Sequence, residues 1–318
     1  MFLILQADWG KKARRQVVAE LDEYGLNGAA FYRAHFPVVE RYLAAFRSRR
    51  VDAPGMPIIT QLSQDTLVVF AFLFWKHQDW FEQIDEVPPE TIAAAVRADL
   101  SRDLALGETL VEALEAEGYS DQTKWQIMAL VEQPKLRLAA VAEAVRCNLP
   151  AYEYACSRVE KELDTLLARL EDRLATDGPS SVLHLPRQIS PDAEIVPTLA
   201  LPLGVVVTEG VGFAGLLATR LGVGTGPYSD EDAVLAGKAL GDLNRVRIVQ
   251  LLTRGSLYNL QIATQIGLTP ATTSHHMSLL LAAGLVRLEK RDGKVFYHLS
   301  RDGLKRYRDW LRDLRPSG

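Results

Sequence analysis

The sequence of 318 residues predicts a mainly α chain in three parts. These are a helical N-terminal domain (1–176), a small β-containing connector and linker (177–226), and a C-terminal domain (227–318) whose helices lead into a β-hairpin. Three observations carry this reading. Apolar residues recur at helical spacing through most of the first 176 positions. From Val182 to Leu221 the composition turns to Val, Leu, Pro and Gly. The charge divides too: residues 237–318 hold 14 Lys+Arg against 6 Asp+Glu, residues 1–236 hold 22 against 34, and the net charge is −4. A basic end behind an acidic body is the asymmetry of a nucleic-acid-binding segment joined to a different kind of domain.

Composition narrows the class further. At 48% hydrophobic and 24% charged residues the chain is ordinary globular material, which excludes a disordered polymer. The longest apolar run, Leu67 to Trp75, is nine residues, less than half a bilayer span. Met1-Phe2-Leu3-Ile4-Leu5 lacks the basic leader, long apolar stretch and cleavage site of a signal peptide. Two cysteines exclude a disulfide framework and a four-thiolate zinc site. The expectation is a cytoplasmic protein with no membrane partner.

The front domain reads as successive helices. Trp9 to Tyr24 carries Val17, Val18 and Leu21, and Gly25 closes it. Ala29 to Arg50 and Gln61 to Phe81 follow, the latter a buried helix by its length; Pro88-Pro89 opens a helix to about Glu117. Asp121 to Val131, Pro134 to Asn148 and a stretch from Pro150 to Leu174 complete the set. In the connector, Ser181 to Leu185, Glu194 to Val196 and Val205 to Val207 look like short strands, and Phe2 to Leu5 has the pattern to pair with them. Prolines 186, 191, 197 and 202 confine such strands to edges or ends. Gly222 to Pro227 reads as a linker.

The C-terminal pattern is sharper. Ser229 and Asp232 have capping-box spacing ahead of a helix to about Leu240, and Asp242 caps a second helix closed by Gly255. A short helix spans Asn259 to Ile266, Gly267-Leu268-Thr269 makes a turn, and Pro270 opens a helix that ends at Gly284. Leu285–Lys290 and Val295–Leu299 alternate around an Asp292-Gly293 turn. That turn sets Leu288 opposite Tyr297 and Val286 opposite Leu299, so the apolar residues share one face. Helix, short helix, turn, helix and hairpin form a winged helix-turn-helix, whose second helix enters a major groove of double-stranded DNA.

At about 100° per residue, Thr273, Met277 and Leu280 share the buried side of that helix. Ala271, His275 and Ser278 lie opposite, flanked by Thr272 and Ser274. The candidate DNA-contacting residues are therefore Thr269, Thr272, Ser274, His275 and Ser278 at base edges and phosphates. Lys290, Arg291 and Lys294 join them at the wing tip, within reach of phosphates or the minor groove. His276 falls on the buried side, where packing or one structural hydrogen bond is expected.

These segments resemble the ArsR-type (arsenic-repressor-like) winged-helix regulators. The matching pieces are Lys238-Ala239-Leu240-Gly241-Asp242, Arg245-Val246-Arg247-Ile248, Gly267 to Met277, Ala283-Gly284-Leu285-Val286 and Val295-Phe296-Tyr297-His298-Leu299. They extend from Lys238 to Ser300, one-fifth of the chain. The resemblance implies a homodimeric repressor that releases DNA on a signal, with dimerisation through the last helix and the one before Leu240. It departs from the metal-sensing members. Tyr258 and Leu260 stand where those carry a Cys-x-Cys pair, and residues 301–318 contain no His. The wing is also one residue shorter after its glycine. The expectation is a regulator without a metal or cofactor, answering to a small-molecule effector through its front domain.

Other signals rank lower. Gly210 to Gly215 fits G-x-G-x-x-G, but no second βαβ unit follows, so a glycine-rich hairpin is the better reading. Cys147 and Cys156 flank Pro150 and have the placement of a thiol pair across a helix-helix turn, against the plainer reading of two buried small hydrophobes. Phe70, Phe72, Phe74, Trp75, Trp80 and Trp125 read as core before effector pocket. His35, His77 and His184 lack metal-ligand spacing, and Glu108, Glu112 and Glu115 form a solvated face. Nothing marks a nucleophile or phosphate loop, so an enzyme with a DNA-binding tail ranks second and a winged-helix protein-interaction module third.

Overall fold

The computed structural model describes residues 2–5, 11–103, 110, 114–115, 119–177, 181–208, 210–221, 228–291 and 294–314. In chain order its first helices are α1 (Lys11–Glu23), α2 (Gly28–His35), α3 (Pro37–Arg49), α4 (Met56–Gln61), α5 (Gln64–Lys76), α6 (Trp80–Gln83) and α7 (Pro89–Asp103). Next come α8 (Asp121–Glu132), α9 (Pro134–Ser157), α10 (Glu160–Thr176) and α11 (Leu185–Ile189), then strands β1 (Glu194–Thr198), β2 (Val205–Val207) and β3 (Val211–Gly215). The C-terminal part holds α12 (Asp230–Leu240), α13 (Leu243–Leu252), β4 (Leu257–Tyr258), α14 (Asn259–Ile266), α15 (Pro270–Ala282), β5 (Val286–Arg291), β6 (Lys294–Leu299) and α16 (Arg301–Asp313). The chain is mainly helical, as expected. No helix among the described residues is long and apolar enough to cross a membrane.

The contacts divide into two compact units. One comprises residues 1–9, 37–163 and 199–201; the other 10–36, 164–198 and 202–318. The linear partition read from the sequence has its boundaries elsewhere: α1, α2 and most of α10 cluster with the C-terminal residues.

The first unit is built around α9. Leu138, Val141, Ala142, Val145, Ala151 and Ala155 are buried along it, against the buried Val39, Leu43 and Phe46 of α3. Asn148, fully buried, donates from Nδ2 to the carbonyls of Val51 and Ala144 and accepts from the Val51 N–H at 2.8 Å, so its polar groups are satisfied. The run at Leu67–Trp75 is indeed a buried helix, α5, capped by Ser63. Lys76 and His77 at its end both meet the buried carboxylate of Asp99, and the His77 ring stacks on Trp80 at 3.9 Å.

Several expectations are corrected. Pro150 does not open a helix; it lies inside α9, which breaks instead at Arg158. Tertiary burial on both sides of the proline outweighs the single hydrogen bond it forfeits. Cys147 and Cys156 thus sit nine residues apart on one helix, on opposite sides, Cys147 exposed, and do not meet across a turn. Ser181–Leu185 is not a strand. Ser181 caps a 3-10 turn, Val182–His184, and Pro186 takes the first turn of α11, where a missing N–H is harmless. Phe2–Leu5 is a 3-10 helix, not a strand. Glu194 and Val205 do start strands. β3 is the middle strand, parallel to β1 and antiparallel to β2, so the glycine-rich segment is half of a hairpin. A 3-10 turn follows it, Leu216–Arg220, rather than the helix a dinucleotide fold needs.

In the second unit α12, α13, α14, α15 and β5 enclose a core of Leu235, Ile248, Leu252, Ile262, Met277, Leu280 and Leu285. The β-hairpin has the expected register, with Leu288 opposite Tyr297 and Val286 opposite Leu299; β4 adds a third strand on β6. Tyr24 and Val182 pack against this core as well. Gln188 of α11 accepts from the Leu288 N–H at 3.1 Å, covering the edge of β5. Gly303 admits the start of α16 against the Gly284 carbonyl, where a Cβ would stand 2.0 Å from the oxygen.

Candidate nucleic-acid interface

The helix-turn-helix follows from local chemistry. Asp242 accepts from the Arg245 N–H at 3.0 Å and caps α13; Arg245 in turn donates to the carbonyls of Lys238 and Ala239 at the end of α12. Gly267 takes φ +72°, a left-handed conformation that a Cβ would strain, and the Leu268 N–H returns to the Ala263 carbonyl. Thr269 then caps α15, its Oγ1 accepting from the Thr272 N–H at 3.1 Å.

Along α15 the division is clean. Thr273, His276, Met277, Leu279 and Leu280 are buried, and Thr272, Ser274, His275 and Ser278 are exposed together with the cap Thr269. The sequence-derived reading face is thus assembled on one side of one helix. His276 packs inward as expected. Its Nδ1 lies 3.5 Å from Arg245 and 3.9 Å from Asp242, and burial holds its pKa below the ordinary value, which leaves a neutral ring able to accept from the guanidinium.

The wing presents Lys290 and Arg291 on β5, and Lys294 opens β6 opposite Arg291. The Lys294 side chain and the turn residues Asp292 and Gly293 lie outside the described residues. Arg291 is held beside its own strand: it contacts Glu289 at 2.9 Å and Ser256 at 3.4 Å, with its guanidinium 5.2 Å from the centre of the Phe296 ring.

Two residues near this face escaped the sequence reading. Asn259 donates to Ser274 Oγ at 3.0 Å and to the Pro270 carbonyl, fixing the start of α15. Its place at the first position of α14, facing the turn, was a usable signal. Glu23, at the end of α1, sits 3.1 Å from His275 Nε2. No local pattern connects residues so far apart in the chain. α1 is tied there also by Lys238, which donates to the Asp22 carbonyl at 2.5 Å.

The metal site of some family members does not fit these residues. Tyr258 and Leu260 offer no thiolate; Tyr258 instead sets its ring edge-on to Phe296 at 5.8 Å. Among the described residues no group of three or more His, Cys, Asp or Glu side chains is placed to hold a metal ion.

Two helices joined by a left-handed glycine turn, the second with a polar outer face, beside a three-stranded wing, define a winged helix-turn-helix DNA-binding domain. Residues 242–287 match the family model described as bacterial regulatory protein, arsR family. An uncharacterised HTH-type transcriptional regulator of Methanocaldococcus jannaschii is 34% identical over 76 residues, 24% of this chain and 85% of that protein. The HTH-type transcriptional regulator CmtR, of Mycobacterium tuberculosis and of Mycobacterium bovis, is 39% identical over 70 residues, 22% of this chain. The match spans 59% of the length of CmtR. The chain belongs to the ArsR family of transcriptional regulators through its C-terminal domain, and the relatives cover only that part.

Proposed function

We propose that the chain is a sequence-specific repressor that binds double-stranded DNA as a homodimer in the cytoplasm and releases it on a non-metal signal. The exposed set Thr272, Ser274, His275 and Ser278 on α15 carries the reading, because its opposite face is fully committed to the core. These residues read base edges; Thr269, Lys290, Arg291 and Lys294 hold phosphates. The dimer is built on α16 and α12. Leu304, Tyr307, Trp310, Leu311 and Leu314 form an apolar stripe, yet no residue of α16 is buried. The signal reaches the domain from the preceding residues, and the chain performs no covalent chemistry. The absence of thiolates at 258 and 260 supports a non-metal signal.

Selection of duplexes from a random pool by the full chain, followed by sequencing, tests this. The expected product is an inverted repeat with half-sites one helical turn apart. Selection without enrichment, or of a single half-site by a monomer, overturns it.

A further inference from the structure

A cavity of about 380 Å³ lies within the second unit. Its walls are Leu21 of α1 and Tyr24 just after it, Leu203 with Val205 and Val207 of β2, and Leu281 and Ala282 of α15. The volume is at the small end of the range for ligand sites, roughly 300–1,000 Å³. The lining is predominantly apolar, and its polar members are largely met within the chain. Ser278 donates to the Ser274 carbonyl at 3.0 Å, and Glu20 accepts from Gln16 at 3.0 Å. The lining offers an anionic occupant no cation, and its one carboxylate, Glu20, is already met by Gln16.

One part of the lining belongs to α15, the proposed DNA-reading helix, and another to the end of α1. Glu23, one residue before Tyr24, places a carboxylate against His275 on the exposed face of α15. A carboxylate there repels phosphates and occupies the ring nitrogen a base would use. On the proposed reading a duplex on α15 displaces the Glu23 carboxylate, and a shift of the end of α1 would open the wall made by Leu21 and Tyr24.

We propose that this cavity is a binding site for a small, neutral, mainly apolar molecule, and that filling it holds α1 on α15 and releases DNA. The inference rests on α15 being the DNA-reading helix. The ligand binds the covered conformation and loses its site in the open one, which is the differential affinity that coupling requires. By reciprocity, DNA expels the ligand by the same factor.

The test uses the full chain and the fluorescent neutral probe N-phenyl-1-naphthylamine. Titration without DNA should give saturable fluorescence, one probe per chain. Val205→Trp and Leu203→Trp, which fill the cavity from the β2 side and leave α15 untouched, should each weaken probe binding by about tenfold or more. Thermal unfolding shows whether each variant is folded, and either folded variant suffices. Saturating probe should weaken binding to the selected duplex by about fivefold or more in the parent chain and leave the filled variants unchanged. Probe binding that is absent, or equal in parent and filled chains, overturns the site. Probe binding without any effect on DNA affinity overturns the coupling. A chain that takes up the probe but binds no duplex overturns the DNA reading of α15 and leaves the cavity assignment standing.

Discussion

α15 and α16 are helices of 13 residues each in the same unit, and they divide their side chains in opposite ways. α15 buries one side completely and exposes threonine, serines and histidine on the other. α16 carries an apolar stripe of Leu, Tyr and Trp that is covered only in part: Leu304 packs against the core, while Leu311 is 46% exposed and Leu314 60%. It meets α12 through Trp310, whose indole N–H reaches Asp230 at 3.1 Å, and through Tyr307 beside Gly237, and it meets β5 through Asp302, 3.2 Å from Arg287. A helix with its apolar face already covered is free to offer a polar face to DNA. A helix with part of its apolar face open leaves surface for a partner, and the proposed dimer puts a second copy there.

The largest effect should come from breaking that dimer. Leu311→Glu puts a carboxylate in the centre of the stripe and should reduce the sedimenting species to a single 35.3 kDa chain. Affinity for the selected duplex should fall by about a hundredfold or more, because one half-site no longer aids the other. A variant that still sediments as a dimer would show that α16 is not the joint. Second in size is the reading face itself. His275→Ala should cost roughly 1–3 kcal/mol on the selected duplex, relax preference at one base position and leave random DNA little changed. Equal losses on both DNAs would place His275 on phosphate.

The same two helices show what was legible in the sequence. The caps Ser229, Asp242 and Thr269, the turn glycine Gly267 and the hairpin register are determined within a few residues, so local chemistry predicted them. The exposed polar side of α15 was legible because its buried side follows helical periodicity. Three things were not. Ser181–Leu185 alternates like a strand, but a serine cap and a proline in the next turn favour a helix. Pro150 looked like a boundary, yet α9 runs through it because both flanks are buried. Glu23 meets His275 only because α1 folds back onto the C-terminal domain, a contact of the fold with no counterpart in any short pattern.

That contact gives the third prediction. Glu23→Gln removes a half-exposed carboxylate beside His275, a contact worth no more than about 1 kcal/mol, so DNA should bind roughly two- to fivefold tighter, chiefly at low salt. Fluorescence anisotropy with labelled duplex measures it; unchanged or weaker binding would mean that α1 does not compete with DNA.

His276 separates the buried side of α15 from the exposed one by pH. Burial lowers its folded pKa below the ordinary 6.5, so the unfolded chain binds the proton more readily. The stability it contributes is therefore present above about pH 6.5 and is lost as pH falls through the interval between the two values. Thermal unfolding should show a shallower acid-side decline in His276→Gln than in the parent chain. An identical decline would mean that the ring titrates in the folded state as it does in water.

The smallest effect concerns the wing, where Glu289 opposes Arg291, one of the groups proposed to hold DNA. Its carboxylate contacts Arg291 at 2.9 Å, and both side chains are about half exposed. The pair restrains a cation on its own strand without sealing it away, since an exposed ion pair is worth only about 0–1 kcal/mol. Glu289→Gln should let Arg291 release counterions from phosphate, steepening the dependence of log affinity on log salt by up to about one unit. Because phosphates carry no sequence, the gain should be equal on the selected duplex and on random DNA. Arg291→Ala should give the opposite sign and erase the effect of Glu289→Gln in the double variant. A gain confined to the selected duplex would instead place Arg291 in a narrow minor groove, where a planar guanidinium senses groove width, and would move it from the groups that hold DNA to those that read it.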